Sequence, residues 1–176
     1  PKRAALVMID MQKGFISPDS SLCVEGAQAT VPACARALRA ARSAGMAVFH
    51  VRRTYATDGS DVEPVRYHTW LEGGRPLCLE GDDPTFVDAP DELQPENGDR
   101  IIEKPRFSAL FATDLDAILR KDGIDTLVLI GTTTPNCIRS TCYDALSLNY
   151  NVAIIEDCTS SRTPEVQRAN IEDMAF

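Results

Sequence analysis

The sequence has no long apolar run, no excess of positive charge and little histidine, and each absence removes a class of function. Its longest apolar stretches, such as the one around Thr126 to Ile130, fall far short of the roughly 20 residues that cross a bilayer. The start Pro1-Lys2-Arg3 leads into an apolar segment ending at Asp10 rather than at a small-residue cleavage site, so no secretory signal is expected. Lys and Arg number 18 against 26 Asp and Glu, a net charge of -8 at pH 7. A binder of nucleic acid or of an anionic membrane carries the opposite balance, so neither partner is expected. Two histidines, and no CxxC pair among six cysteines, leave none of the usual zinc spacings. Neither GxGxxG nor a Walker A segment is present to mark a nucleotide site. Six cysteines in 176 residues are also too sparse for a disulfide scaffold. Reduced thiols in a cytoplasmic protein are the expectation, with Cys23, Cys34, Cys78, Cys142 and Cys158 as packing residues.

What is present is a globular composition, 44% hydrophobic and 25% charged, long enough for one domain with a full core. A single domain over residues 1–176 is expected. Apolar runs and breakers alternate along it. Residues 4–9 are continuously apolar, as a strand buried on both faces is, and end at Asp10. Residues 11–26 read as loop, 27–44 as a helix stopped by Gly45, and 46–51 as a second strand. From 52 to 99, glycine and proline recur too often for regular elements. A connection of that length is a lid, a pocket wall or an oligomer contact. Strands at 100–103, 126–130 and 152–155 then alternate with helices at 114–121, 137–149 and from 165 onward. The pattern predicts βαβ units, a mostly parallel sheet with helices on both faces, and a ligand at the carboxyl ends of the strands where the winding reverses.

Three residues stand at those carboxyl ends. The first strand ends in Asp10, the third in Lys104, and the fourth runs into the turn that carries Cys137. Singly, each has an ordinary explanation as a cap, a solvated strand end or a small buried residue. Together they are chemically complementary. A thiol attacks as thiolate, and its pKa falls at a helix N-terminus or beside a cation. Cys137 gains the first from its own helix and the second from Lys104. Asp10 is placed to take the thiol proton and return it to a leaving amine. Backbone N–H groups in the turn from Gly131 to Cys137 would face a carbonyl oxygen. The set suits attack on an amide or a similar C–N carbonyl compound.

The segments Ala5-Leu6-Val7-Met8-Ile9-Asp10-Met11-Gln12, Lys104-Pro105-Arg106-Phe107-Ser108 and Leu129-Ile130-Gly131-Thr132-Thr133-Thr134-Pro135-Asn136-Cys137 together resemble the signature segments of the isochorismatase-like cysteine hydrolases. The resemblance covers nearly the whole chain. It implies an α/β fold, a three-layer αβα sandwich with a mostly parallel six-stranded sheet, and an Asp10–Lys104–Cys137 triad. It also implies a cis peptide at Thr132–Thr133, with the N–H groups of Thr133 and Cys137 forming an oxyanion hole.

Departures from the family sharpen the expectation. Nicotinamidases of this family carry an Asp and two His as a metal site after the second strand. Here His50 is followed by Val51-Arg52-Arg53 and the next histidine is His68, so His50 reads as a packed strand residue and no metal or other cofactor is expected. Isochorismatases proper cleave a vinyl ether and lack the cysteine, so Cys137 favours C–N hydrolysis. The pair Pro135-Asn136 departs from the family's commoner acidic-plus-apolar pair and is expected to reshape the pocket floor. For substrate binding, Phe15 is expected as a pocket wall. Arg53 and Arg66 suit a carboxylate, while Tyr55, Tyr67 and Trp70 suit a flat amide or ring. Arg106 is close to Lys104 in sequence and is equally readable as structural. The expected protein is a metal-independent cysteine hydrolase. It would cleave a small amide, ureido or carbamoyl compound through a thioester, as a homodimer or homotetramer. A vinyl-ether hydrolase and a non-catalytic binding member of the same fold are the alternatives.

Overall fold

The computed structural model describes residues 3–175. Strand β1 (Ala4–Ile9) is buried along its whole length, the place an unbroken apolar run takes in a sheet covered on both faces. It pairs in parallel with β2 (Ala47–Arg52) on one side and β4 (Thr126–Thr132) on the other. Beyond these, β3 (Arg100–Glu103) pairs with β2 and β5 (Asn151–Ser160) with β4, giving the order β3-β2-β1-β4-β5 with every pair parallel. The described residues thus hold five strands, not the six expected. After β5 they contain only α6 (Pro164–Met174), which leaves no segment for another strand.

Alternation along β1 sends its side chains to two cores. Leu6 and Met8 join Val48 and Ile130 beneath α2 (Ala27–Ser43), with Cys34 and Leu38 from that helix. Val7 and Ile9 join Phe49, Leu127 and Leu129 on the other face. There α4 (Leu115–Lys121), α5 (Arg139–Ser147) and α6 contribute Leu115, Ala145 and Met174. The result is a three-layer α/β sandwich. Gly45, at a φ of 64°, closes α2 as its position predicts.

The chain winds outward from β1 through β2 to β3, then returns to β4 on the opposite side of β1. The crevice beyond the carboxyl ends of β1 and β4 is therefore the switch point. Gly131 marks how closely the two strands approach there. A β-carbon at Gly131 would lie 2.0 Å from the Ile9 carbonyl oxygen.

Four stretches differ from the sequence expectation. Residues 52–99 are not free of regular structure: they hold α3 (Tyr67–Glu72) and 3-10 turns at Pro84–Val87 and Asp91–Leu93. The preceding loop likewise contains a one-turn helix, α1 (Lys13–Ile16). β5 continues to Ser160 through Glu156 and Asp157, which look like a stop in sequence. As an edge strand it is open on one side and tolerates charge. The helix expected at 137–149 divides into a wide turn at Thr134–Ile138 and α5. No helix among the described residues is long and apolar enough to cross a membrane.

Candidate active site

Two of the three strand-end residues are fixed by the sheet itself. The Asp10 N–H donates to Val51 O at 2.8 Å and the Lys104 N–H to Arg52 O at 3.0 Å, so each extends its ladder by one residue before the chain turns away. Asp10 sits at a φ of 54°, a left-handed conformation that Asp enters more readily than most residues. Lys104 Nζ lies 2.9 Å from Asp10 Oδ2, donates to Arg106 O at 2.9 Å, and stands 3.7 Å from Cys137 Sγ. All three residues are at most 4% exposed. The pair is held by charge: among the described residues neither Asp10 oxygen has a hydrogen-bond donor, although Lys104 Nζ is at ion-pair distance.

The nucleophile turn is held from two sides. The Thr132–Thr133 peptide is cis, and the hydroxyls of Thr133 and Thr134 both donate to Ser160 O at the end of β5. Thr141, fully buried on α5, donates to Cys137 O at 2.7 Å and accepts from the Ala109 N–H at 2.9 Å. It thereby ties the cysteine's backbone to the segment that follows Lys104.

The electrostatics correct one expectation. A helix start and a neighbouring lysine suggest a lowered thiol pKa, but burial and the facing Asp10 carboxylate outweigh Lys104 and Arg66, and the Cys137 thiol is pushed up to about 12. For Lys104, burial alone would lower the pKa, yet Asp10 and Cys137 more than offset it and the ammonium is held charged. The resting site is thus a neutral thiol beside a carboxylate–ammonium pair, and attack by sulfur requires a base at hand.

Asp10, Cys137 and Thr133 open onto a cavity of about 450 Å³. Phe15, Pro135 and Asn136 line it, as the sequence suggests, and so does Arg66. Arg53, Tyr55 and Trp70 do not, which corrects their expected role in binding substrate. With Val62, Leu77 and Cys78, Tyr55 and Trp70 form a small core that gives the 55–78 segment its shape. The Trp70 indole donates to Pro76 O, and the Tyr55 hydroxyl to Glu63 Oε2. The Arg53 guanidinium lies 4.0 Å over the Tyr55 ring and donates to Thr54 O and to Asp61. Tyr67 packs its ring near Trp70, and Arg106 donates to the carbonyls of Asp61 and Pro105.

Sequence reasoning missed Cys23, Val65, Ser161 and Arg162, which also line the cavity. Ser161 and Arg162 follow β5 directly, so the strand-end rule would have found them had β5 been extended past its acidic pair. His50 is buried on β2 with Nε2 2.9 Å from Asp99 Oδ2, a carboxylate shared with Arg42. It borders a different cavity from Cys137. Among the described residues, no group of three His, Cys, Asp or Glu side chains is placed to hold a metal ion, and no cysteine is in a disulfide.

Comparison with known proteins adds an independent line. The family model described as Isochorismatase domain matches residues 4–176. A protein of Arabidopsis thaliana named as a probable inactive nicotinamidase is 39% identical, with 98% of this chain and 88% of the relative covered. A ureidoacrylate amidohydrolase of Pantoea ananatis is 36% identical, covering 97% and 75%. The crystal structure of an isochorismatase family protein from Desulfovibrio vulgaris superimposes with a TM-score of 0.92 at 44% identity, covering 99% and 90%.

Proposed function

The chain belongs to the isochorismatase family, and from that premise we propose that it is a cysteine amidohydrolase that cleaves the C–N bond of a small amide, ureido or carbamoyl compound. The observation that carries this reading is the meeting of Asp10, Lys104 and Cys137, with Lys104 Nζ 2.9 Å from the carboxylate and 3.7 Å from the sulfur, and with Asp10 and Cys137 opening onto the cavity.

The steps follow from that geometry. Asp10 accepts the Cys137 proton as sulfur bonds to the carbonyl carbon, and the carbonyl π electrons pass to oxygen. The backbone N–H groups of Thr133 and Cys137 receive that oxyanion. Lys104 stays protonated and compensates the negative charge that moves between carboxylate and sulfur. The tetrahedral adduct collapses, the C–N bond breaks, and the proton on Asp10 goes to the departing nitrogen, which leaves as ammonia or a small amine. A water then gives its proton to Asp10 and its oxygen to the thioester carbon. The S–C bond breaks, and the thiol regains its proton. The sum is amide plus water to acid plus amine, and the steps use only groups of the chain itself.

A panel of small amides, ureas and carbamoyl compounds assayed for ammonia release, with the Cys137→Ala variant as control, tests the reading. Release that depends on Cys137 supports it. A variant as active as the parent would point to chemistry that needs only Asp10 and Lys104, as in vinyl-ether cleavage. No release from any compound in the panel would favour a binding role.

A further inference from the structure

We propose that Arg66 forms an anion subsite beside Cys137, so that the compound hydrolysed carries a carboxylate or an equivalent anionic group next to its scissile C–N bond. The inference rests on the amidohydrolase reading and names the substrate class of that same site.

Charge balance in the cavity carries it. The whole chain is acidic, at -8, yet the cavity lining reverses that sign. Two arginines, Arg66 and Arg162, line it, and its one carboxylate, Asp10, is already paired with Lys104. Several arginines elsewhere are matched, Arg42, Arg53, Arg100 and Arg139 each making an ion pair, while Arg75 and Arg106 spend their donors on backbone carbonyls. Among the described residues neither cavity arginine has a carboxylate within 4.0 Å. Glu63 acts on Arg66 only from beyond ion-pair distance, through the Tyr55 hydroxyl, so this half-buried guanidinium keeps donors free for a planar anion.

Arg66 is also held in place rather than swinging in solvent. Its guanidinium lies 5.1 Å over the Phe107 ring, and its Nη1 reaches the Tyr55 hydroxyl at 3.5 Å. That hydroxyl is itself committed to Glu63. Tyr55 thus returns as a support for the arginine that meets the substrate. Phe107 belongs to the segment that begins with Lys104, so the arginine is registered against the catalytic lysine's own loop. The charge of Arg66 is felt at the Cys137 sulfur, which puts the subsite within electrostatic reach of the reacting carbonyl.

Alkylation with a charge-matched pair of reagents tests this without knowledge of the substrate. Iodoacetate and iodoacetamide deliver a carboxylate or a neutral carboxamide to the same sulfur, and peptide mass spectrometry gives the rate at Cys137 for each. The ratio of the iodoacetate to the iodoacetamide rate is expected to fall roughly tenfold in Arg66→Gln, the lower end of what a charge-assisted hydrogen bond supplies. Arg66→Lys, which keeps the charge, should recover much of the ratio. A ratio that is the same in the parent, Arg66→Gln and Arg66→Lys overturns the subsite. So does a ratio lost equally in both variants, because that would report altered packing and not charge. If the ratio is unchanged while ammonia release still depends on Cys137, the subsite fails and the amidohydrolase reading stands. If the ratio shifts as expected while ammonia release is independent of Cys137, the subsite stands and the mechanism fails.

Discussion

At the scale of single residues, the site is an economy of one proton among three buried groups. The thiol is neutral in the resting state because burial and Asp10 hold its pKa near 12. Lys104 Nζ stands 2.9 Å from the Asp10 carboxylate. Catalysis then depends on Asp10 as base at the moment of attack. Asp10→Asn keeps the shape but has no basic oxygen, and ammonia release should fall by about 10²- to 10⁴-fold, the range for loss of a positioned general base. A steady-state assay checks this, and retention of more than a tenth of the parent rate would contradict the role. These three residues were legible in the sequence because each closes a strand, and strand ends are where an α/β sheet presents chemistry. Residues whose side chains are absorbed by packing were not. Arg53, Tyr55 and Trp70 have the right functional groups for a binding site, and only the fold reveals that Asp61, Glu63 and Pro76 already occupy them.

At the scale of elements, the 55–78 segment bears directly on the site. It supplies Arg66 to the cavity from a stretch rich in turns, and its shape comes from its own core around Trp70. Trp70→Ala removes the largest side chain of that core, at a cost of about 3–5 kcal/mol where the site does not collapse. The effect should be local before it is global. Hydrogen exchange at residues 55–78 is expected to accelerate while exchange in β1 and β4 stays slow, and iodoacetate should lose its advantage at Cys137 although Trp70 does not touch the cavity. Uniform acceleration across the sheet would contradict a separate core. Here the sequence was partly readable. The spacing of glycine and proline announces a long connection, but not that it carries a helix and two 3-10 turns. The helix sits on a core that includes Phe15, and the turns pack against α1 and α2, all far away in the chain. The same holds for β5, whose charged residues resemble a terminus until its edge position is known.

At the scale of the whole molecule, the raised thiol pKa becomes a property of stability. The folded state keeps the Cys137 proton to about 12, whereas an unfolded thiol releases it near 9.0. Between those values the unfolded state binds fewer protons, so stability must fall as the pH rises. Cys137→Ala removes that share. Its urea midpoint should therefore decline less than the parent's between pH 9 and 12, and parallel declines would contradict a thiol held neutral by the fold. The global architecture was the most legible level, because alternating apolar runs and helical stretches admit few arrangements other than a parallel sheet with helices on both faces. The five strands read from the apolar runs are the five of the sheet in the described residues, and the sixth was implied only by the family resemblance.

The most direct test of the account is intact-mass spectrometry of the protein quenched during turnover of any amide from which it releases ammonia. The account predicts a population heavier by the acyl group, located on the Cys137 peptide, that disappears as substrate is exhausted. Steady ammonia release with Cys137 unmodified throughout, and undiminished in Cys137→Ala, would contradict it.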